Sequence, residues 1–233
     1  MTASTYAIVF PGQGSQSVGM LANMAVQYPM VQPIFDQASN ELGYDLWQLT
    51  QQGPTEELDK TVHTQPALLA ASYAAWQVMQ VMQKISIPTA DENELNMAAP
   101  PQFLAGHSLG EYTALVCANA LSFTDAIRLV AARGQYMQEA VAAGEGAMAA
   151  IIGLDDAVVT AICAQVAAES ENTVLSPANF NSIGQVVIAG HQAAVQKAIV
   201  LAKAQGAKLA VLIPVSVPSH CLLMKPAADR LAQ

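Results

Sequence analysis

Gly106-His107-Ser108-Leu109-Gly110 is the stretch from which the rest of the chain can be read. Phe103-Leu104-Ala105, a short apolar run after Pro100-Pro101, precedes it and reads as a buried strand. Glu111 to Ala118 follows and reads as a helix. Strand, G-x-S-x-G and helix together make the context of a nucleophile elbow. Glycine is required at the flanks of so tight a turn because a Cβ there would clash. The turn lifts Ser108 Oγ to the start of the helix, where the helix dipole and free N–H groups favour developing negative charge.

Working outward, Tyr6 to Phe10 is another short apolar run, cut by Pro11-Gly12, and reads as a buried parallel strand. The loop Pro11-Gly12-Gln13-Gly14-Ser15-Gln16 lacks the Lys-Ser/Thr of a phosphate-binding loop and reads as a site loop with inward N–H groups. Val31, Ile34, Phe35, Ala38 and Leu42 have helical spacing, ended by Gly43. Pro54 opens a short helix, with Glu56 and Glu57 suited to its first turn. Gln65-Pro66 opens a long one to about Gln83, and residues 84–102, with five acidic or proline positions before Pro101, read as a loop. Ser122 or Thr124 caps a helix running to about Val141. Its apolar stripe places Arg128 roughly 130° from the stripe centre, in solvent, and Arg133 roughly 90° away, on the flank, where it can be half-buried.

The texture changes near Gly144. Strands are expected at Gly146–Gly153, Thr173–Ser176, Gln185–Ala189 and Lys208–Pro214, with helices at Asp155–Ala168 and His191–Ala204. Asn179 to Ser182 and Gly184 are expected in a loop between the middle strands. This βαββαβ order is the ferredoxin-like pattern. The fold expected is α/β: an α/β-hydrolase-like large subdomain with a parallel sheet, residues 1–141 and 217–233, and a ferredoxin-like small subdomain, residues 142–216, inserted into it. No strand follows the last helix, so the large subdomain reads as C-terminally incomplete.

Composition narrows the function classes. Of 233 residues, 53% are hydrophobic and 12% charged, which supports a large core and argues against disorder. A net charge of −9 argues against a nucleic-acid surface. Three scattered cysteines without a C-x-x-C suggest reduced thiols in a cytoplasmic protein, and no metal-ligand spacing is present. The first residues carry no basic region, so no signal peptide is expected, and no apolar run is long enough to insert in a membrane.

Ser108 needs a base. His107 adjoins it at a strand end, where neighbouring side chains diverge. His191 reads as a capping or exposed residue at a helix start. His63 sits in a polar stretch expected to be a loop, and could line a site. His220 follows a Pro-Ser turn on re-entry to the large subdomain, as a loop-delivered base would. Spacing alone leaves it open between base and structural residue. Cys221 beside it reads as packing.

Phe10 to Gln16, Thr64-Gln65-Pro66-Ala67-Leu68, Gly106 to Tyr112, Arg133-Gly134 and Val217-Pro218-Ser219-His220 together resemble the malonyl-CoA:acyl carrier protein transacylase family of bacterial fatty-acid synthesis. The blocks occur in that family's order, from Phe10 to about Leu231. The resemblance implies an acyl transfer with malonyl-CoA and acyl carrier protein as partners, coenzyme A thioester as substrate and no further cofactor. It implies Ser108 as nucleophile, His220 as base, the backbone N–H groups of Gln13 and Leu109 as oxyanion hole, and Arg133 as clamp on the malonyl carboxylate. It places Gln65 and Asn181 along the substrate cleft, where ordinary loop hydrogen bonding is the alternative. A monomer is expected.

Members of that family orient the histidine with a group downstream of it, which this sequence lacks, so an inactive chain that only binds stays among the alternatives. A polyketide acyltransferase domain is another. A serine hydrolase shares the elbow, but the acids between Ser108 and His220 lie in the small subdomain, and Arg133 has no use in cleaving neutral esters. For carrier-protein docking, Lys197, Lys203 and Lys208 form the most basic neighbourhood.

Overall fold

A computed structural model describes residues 6–85, 100–215 and 217–233. The expected loop of residues 84–102 falls for the most part outside these, as do the first five residues. The fold is mixed α/β. The chain divides into two compact units, Met1–Ala132 and Arg133–Gln233.

In the first unit, β1 (Ala7–Phe10) pairs in parallel with β2 (Phe103–Gly106), Ala7 opposite Phe103 and Phe10 opposite Gly106. Between them run α1 (Ala22–Gln27), α2 (Val31–Leu42), α3 (Leu46–Gln52), α4 (Thr55–Leu58) and α5 (Thr61–Ile85). After β2 come α6 (Gly110–Cys117) and α7 (Phe123–Glu139), which crosses into the second unit. Ile8 and Phe10 alternate to one face of the sheet with Leu104 and pack on Tyr73 and Trp76 of α5 and on Ala114 and Cys117 of α6. The main core lies among the helices. Val31 and Phe35 of α2, Leu46, Leu58, Leu69 of α5, and Ile127 and Val130 of α7 are fully buried there. Each such aliphatic side chain contributes about 1.5–3 kcal/mol by leaving water.

Two expectations in this unit need correction. The long helix begins at Thr61, not at Gln65-Pro66, and Pro66 lies inside it. Thr64 Oγ1 donates to Leu58 O at 2.6 Å, and His63 Nδ1–H donates to Glu57 O at 2.8 Å. These bonds hold the first turn in place, so the helix continues past the one backbone hydrogen bond that Pro66 cannot make. His63 is therefore helical, not in a loop, and its ring packs edge-on against Tyr44. At α7, Ser122 Oγ accepts from the Asp125 N–H at 3.1 Å and donates to the Asp125 carboxylate, a reciprocal N-terminal cap.

The second unit holds a four-stranded antiparallel sheet in the order β4-β5-β3-β6, from β3 (Gly146–Ile152), β4 (Leu175–Ser182), β5 (Gln185–His191) and β6 (Leu209–Leu212). Helices α8 (Asp156–Ala167) and α9 (Gln192–Ala204) cover one face through Val159, Ile162, Val195 and Ala198 against Ile151, Val186 and Ile188. Asn179 to Ser182 prove to be strand: β4 reaches Ser182 and leaves Ile183-Gly184 as the turn. The strand is at an edge and carries two bulges, between Pro177 and Asn179 and between Phe180 and Ser182. Edge position and bulges let polar residues and a proline stay in a strand, because the partner needs only their backbone. A 3-10 turn (Leu222–Met224) and α10 (Lys225–Leu231) close the unit on the end of α7: Val217, Met224 and Ala227 pack with Met137.

Candidate active site

The first unit builds the elbow from two strand ends side by side. His107 N–H donates to Phe10 O at 3.0 Å, which extends the β1–β2 pairing into the elbow. Ser108 has φ of 52°, in the left-handed region that L-residues rarely adopt. Such a conformation costs on the order of 1–3 kcal/mol and persists only where the surroundings fix it. Three glycines do so. A Cβ on Gly106 would lie 1.9 Å from the Gly110 carbonyl carbon. One on Gly110 would lie 2.2 Å from Phe10 O, and one on Gly12 2.6 Å from His107 O. The Gln13 loop and the elbow are thus pressed backbone to backbone. Leu109 is buried in the core, which holds its peptide in place at the head of α6. Among the described residues, neither the Gln13 nor the Leu109 N–H donates a backbone hydrogen bond.

The Gln13 loop is tied in several ways. Ser15 Oγ donates to Gly12 O at 2.6 Å and Gly14 N–H to Gln16 Oε1 at 2.8 Å. Gln16 Nε2 donates to Asp59 at 2.8 Å, and Gln13 Nε2 donates to Thr61 Oγ1 at 3.1 Å. Thr61 carries no sequence signal, since it stands 48 residues from its partner. Gln65 follows one turn later on α5, fully buried.

The second unit holds the remaining candidates. Arg133 is half-buried on α7, whereas Arg128 on the same helix is exposed and paired with Glu41 at 2.6 Å. The α7 stripe reading separated these two arginines correctly. Asn181 is the extra residue of the second β4 bulge and is exposed. His220 has φ of 61°, again left-handed, at the end of a turn in which Ser219 N–H donates to Val217 O at 3.0 Å. The turn is seated on β3, because Pro218 occupies the place of a Cβ at Gly146, 2.4 Å away.

Of the other polar candidates, His191 Nδ1 accepts the Val174 N–H at 3.0 Å and is structural. Cys221 Sγ donates to Pro218 O at 3.1 Å, and its thiol is pushed up by burial. Burial raises Cys117 and Cys163 to about 12. Thiols so raised are poor nucleophiles at neutral pH. Among the described residues, no helix is long and apolar enough to cross a membrane.

Residues 7–233 match the acyl transferase domain family. The malonyl CoA-acyl carrier protein transacylase of Salmonella typhimurium is 59% identical over 97% of this chain and 68% of its own length. That of Bacillus subtilis is 44% identical over 99% of this chain and 67% of its own length. Among solved structures, the malonyl CoA-acyl carrier protein transacylase of Coxiella burnetii superposes with a TM-score of 0.89 at 54% identity, covering 99% of this chain and 68% of that one. A malonyl-transacylase solved in complex with its type II PKS acyl-carrier protein gives 0.88 at 55% identity, over 98% and 69%.

Proposed function

This chain belongs to the malonyl CoA-acyl carrier protein transacylases, within the acyl transferase domain family, and from that membership we propose that it moves a malonyl group from coenzyme A to the phosphopantetheine thiol of acyl carrier protein. Ser108 Oγ attacks the thioester carbonyl while His220 takes its proton, and coenzyme A leaves as the thiol. The carrier-protein thiol then attacks the malonyl-serine; His220 takes the thiol proton and returns it to Ser108 Oγ as the acyl–serine bond breaks. The N–H groups of Gln13 and Leu109 hold the oxyanion of each tetrahedral intermediate. Loss of one such donor typically costs about 100- to 1000-fold. Arg133 holds the malonyl carboxylate through two parallel hydrogen bonds, each worth roughly 1.5–3 kcal/mol. Gln65 and Asn181 line the substrate cleft. The thioester is a substrate, and no separate cofactor enters the scheme. The protein works as a cytoplasmic monomer.

The observation that carries this reading is the elbow. Ser108 sits in a left-handed turn at the head of α6, against the Gln13 loop through Gly12 and Gly110. The β4-β5-β3-β6 order with two helices on one face supports a ferredoxin-like small subdomain of residues 142–216. Packing of Val217, Met224 and Ala227 on Met137 supports placing residues 217–233 with the segment up to 141 in an α/β-hydrolase-like large subdomain. The test is intact-mass analysis after mixing with malonyl-CoA. One malonyl group on the Ser108 peptide, absent in Ser108→Ala, is expected; an unmodified folded protein would sink the proposal.

A second reading is favoured by the relative solved with a type II PKS acyl-carrier protein, at 55% identity. The same chemistry then serves polyketide carrier proteins as acceptors. Competition between the two kinds of carrier protein for malonyl-Ser108 distinguishes them.

A further inference from the structure

We propose that Thr61 is the positioning residue of the oxyanion loop: its hydroxyl latches the Gln13 side chain and so fixes the Gln13 backbone N–H. The inference rests on the acyltransferase reading, in which that N–H faces the oxyanion. Gln13 Nε2 donates to Thr61 Oγ1 at 3.1 Å, and the same hydroxyl lies 3.5 Å from Gln13 Oε1. Thr61 is 0% exposed, so water does not compete for this bond.

The other ties of the loop are weaker anchors. Ser15 to Gly12 and Gly14 to Gln16 are internal and give shape without attachment. Gln16 to Asp59 reaches outward but is exposed. Gly14 turns at φ of 106°, and a Cβ there would meet none of the described residues within 4 Å. Gly12 is pressed on His107, and Gly14 beyond it has room on its Cβ side among the described residues. The Thr61 bond is what fixes Gln13 between them.

The base of the latch is rigid. Thr61 begins α5, whose first turn is tied to α4 by Thr64 to Leu58 and by His63 to Glu57, and to Lys60, the residue before it, by Thr64. An oxyanion donor stabilises charge only when it is already in place, and a misplacement of about 1 Å can cost on the order of 100-fold. A side-chain bond from the donating residue itself restricts the backbone torsions that aim its N–H. Thr61 touches no reacting atom and acts through Gln13.

The test compares Thr61→Val, which keeps the volume and removes the acceptor, with Thr61→Ser, which keeps the hydroxyl. Single-turnover malonylation of Ser108 by malonyl-CoA is followed by intact mass. Thr61→Val is expected to slow acylation about tenfold with little change in KM, and Thr61→Ser to recover most of the loss. Gln13→Ala retains the backbone N–H and is expected to be slowed to the same extent. The double variant Thr61→Val/Gln13→Ala is then no slower than either single one, since both remove the same bond. Amide hydrogen exchange over Gly12–Gln16 is expected to quicken in Thr61→Val. If Thr61→Val does not fold, Gln13→Ala breaks the bond from the loop side and carries the test. Wild-type acylation in Thr61→Val, additive losses in the double variant, or Thr61→Ser as slow as Thr61→Val would overturn the latch while leaving the transferase reading intact. A wild-type protein that takes no malonyl group would overturn the reading itself, and hydrogen exchange would still decide whether Thr61 holds the loop.

Discussion

Gly110 has no room for a side chain, because a Cβ on it would stand 2.2 Å from the carbonyl oxygen of Phe10 and 2.7 Å from its carbonyl carbon. The neighbour is strand backbone, which cannot swing aside as a flexible side chain would. Gly110→Ala must therefore push α6 away from β1, and the elbow with it. Overpacking of this kind costs about 1–3 kcal/mol. The expected outcome is a lower urea midpoint together with loss of malonyl-Ser108 formation. A variant with unchanged midpoint and loading would show that β1 and the elbow are not in contact.

Arg133→Ala is expected to abolish the preference for malonyl over acetyl while sparing some transfer of the uncharged group. Two charged hydrogen bonds at roughly 1.5–3 kcal/mol each account for a loss of at least tenfold on malonyl. Arg128→Ala serves as control, since Arg128 is exposed and bound to Glu41. Ratios of malonyl to acetyl loading decide it: an unchanged ratio in Arg133→Ala removes the clamp.

Glu139 is held below its usual carboxylate range, first by the hydrogen bond from Arg230 and then by that from Gln135. Because the folded-state value is the depressed one, its contribution is present above the ordinary carboxylate range. It disappears as pH falls through the folded-state value. Glu139→Gln should flatten the acid limb of a Tm–pH profile and leave the neutral limb little changed. The effect is expected to be small and to shrink in salt, for the pair is 46% exposed on both sides. An acid limb identical to wild type would mean the pair does not persist in solution.

Lys197, one of the three lysines suggested by charge alone as a carrier-protein contact, is paired with Glu169 and half-exposed. Lys203 and Lys208 are exposed and take part in none of the ion pairs among the described residues. Lys208 lies with its stem across Gly153, and its Cγ would be 2.7 Å from a Cβ there. Lys203→Glu/Lys208→Glu should raise KM for an acidic carrier protein more than KM for malonyl-CoA, and the difference should narrow as salt is added. Equal shifts for both substrates would place the docking surface elsewhere.

Much of the elbow was legible because its chemistry is local. Strand, two glycines around a serine, and helix lie within sixteen residues, and the steric demand on Gly106 comes from its own turn, whereas that on Gly110 comes from Phe10 and Pro11. The separation of Arg128 from Arg133 was legible for a similar reason, since helical periodicity sets which arginine leaves the apolar stripe. The β-α-β-β-α-β order of the second unit followed from alternating runs and turn residues.

What failed were boundaries, where tertiary contacts outweigh local signals. Pro66 marked a helix start by its missing N–H, yet side-chain bonds from Thr64 and His63 carry the helix back to Thr61. Asn179 to Ser182 looked like a loop by composition, but pairing with β5 along an edge makes them strand, with the mismatch absorbed in two bulges.

The sequence by itself determined the turn around Ser108, the α/β class and the family, because each depends on residue types in short motifs. The tertiary structure alone decided what holds the Gln13 loop. Thr61 reaches it across 48 residues, and no periodicity or motif encodes a hydrogen bond between a loop amide and a hydroxyl that only folding buries.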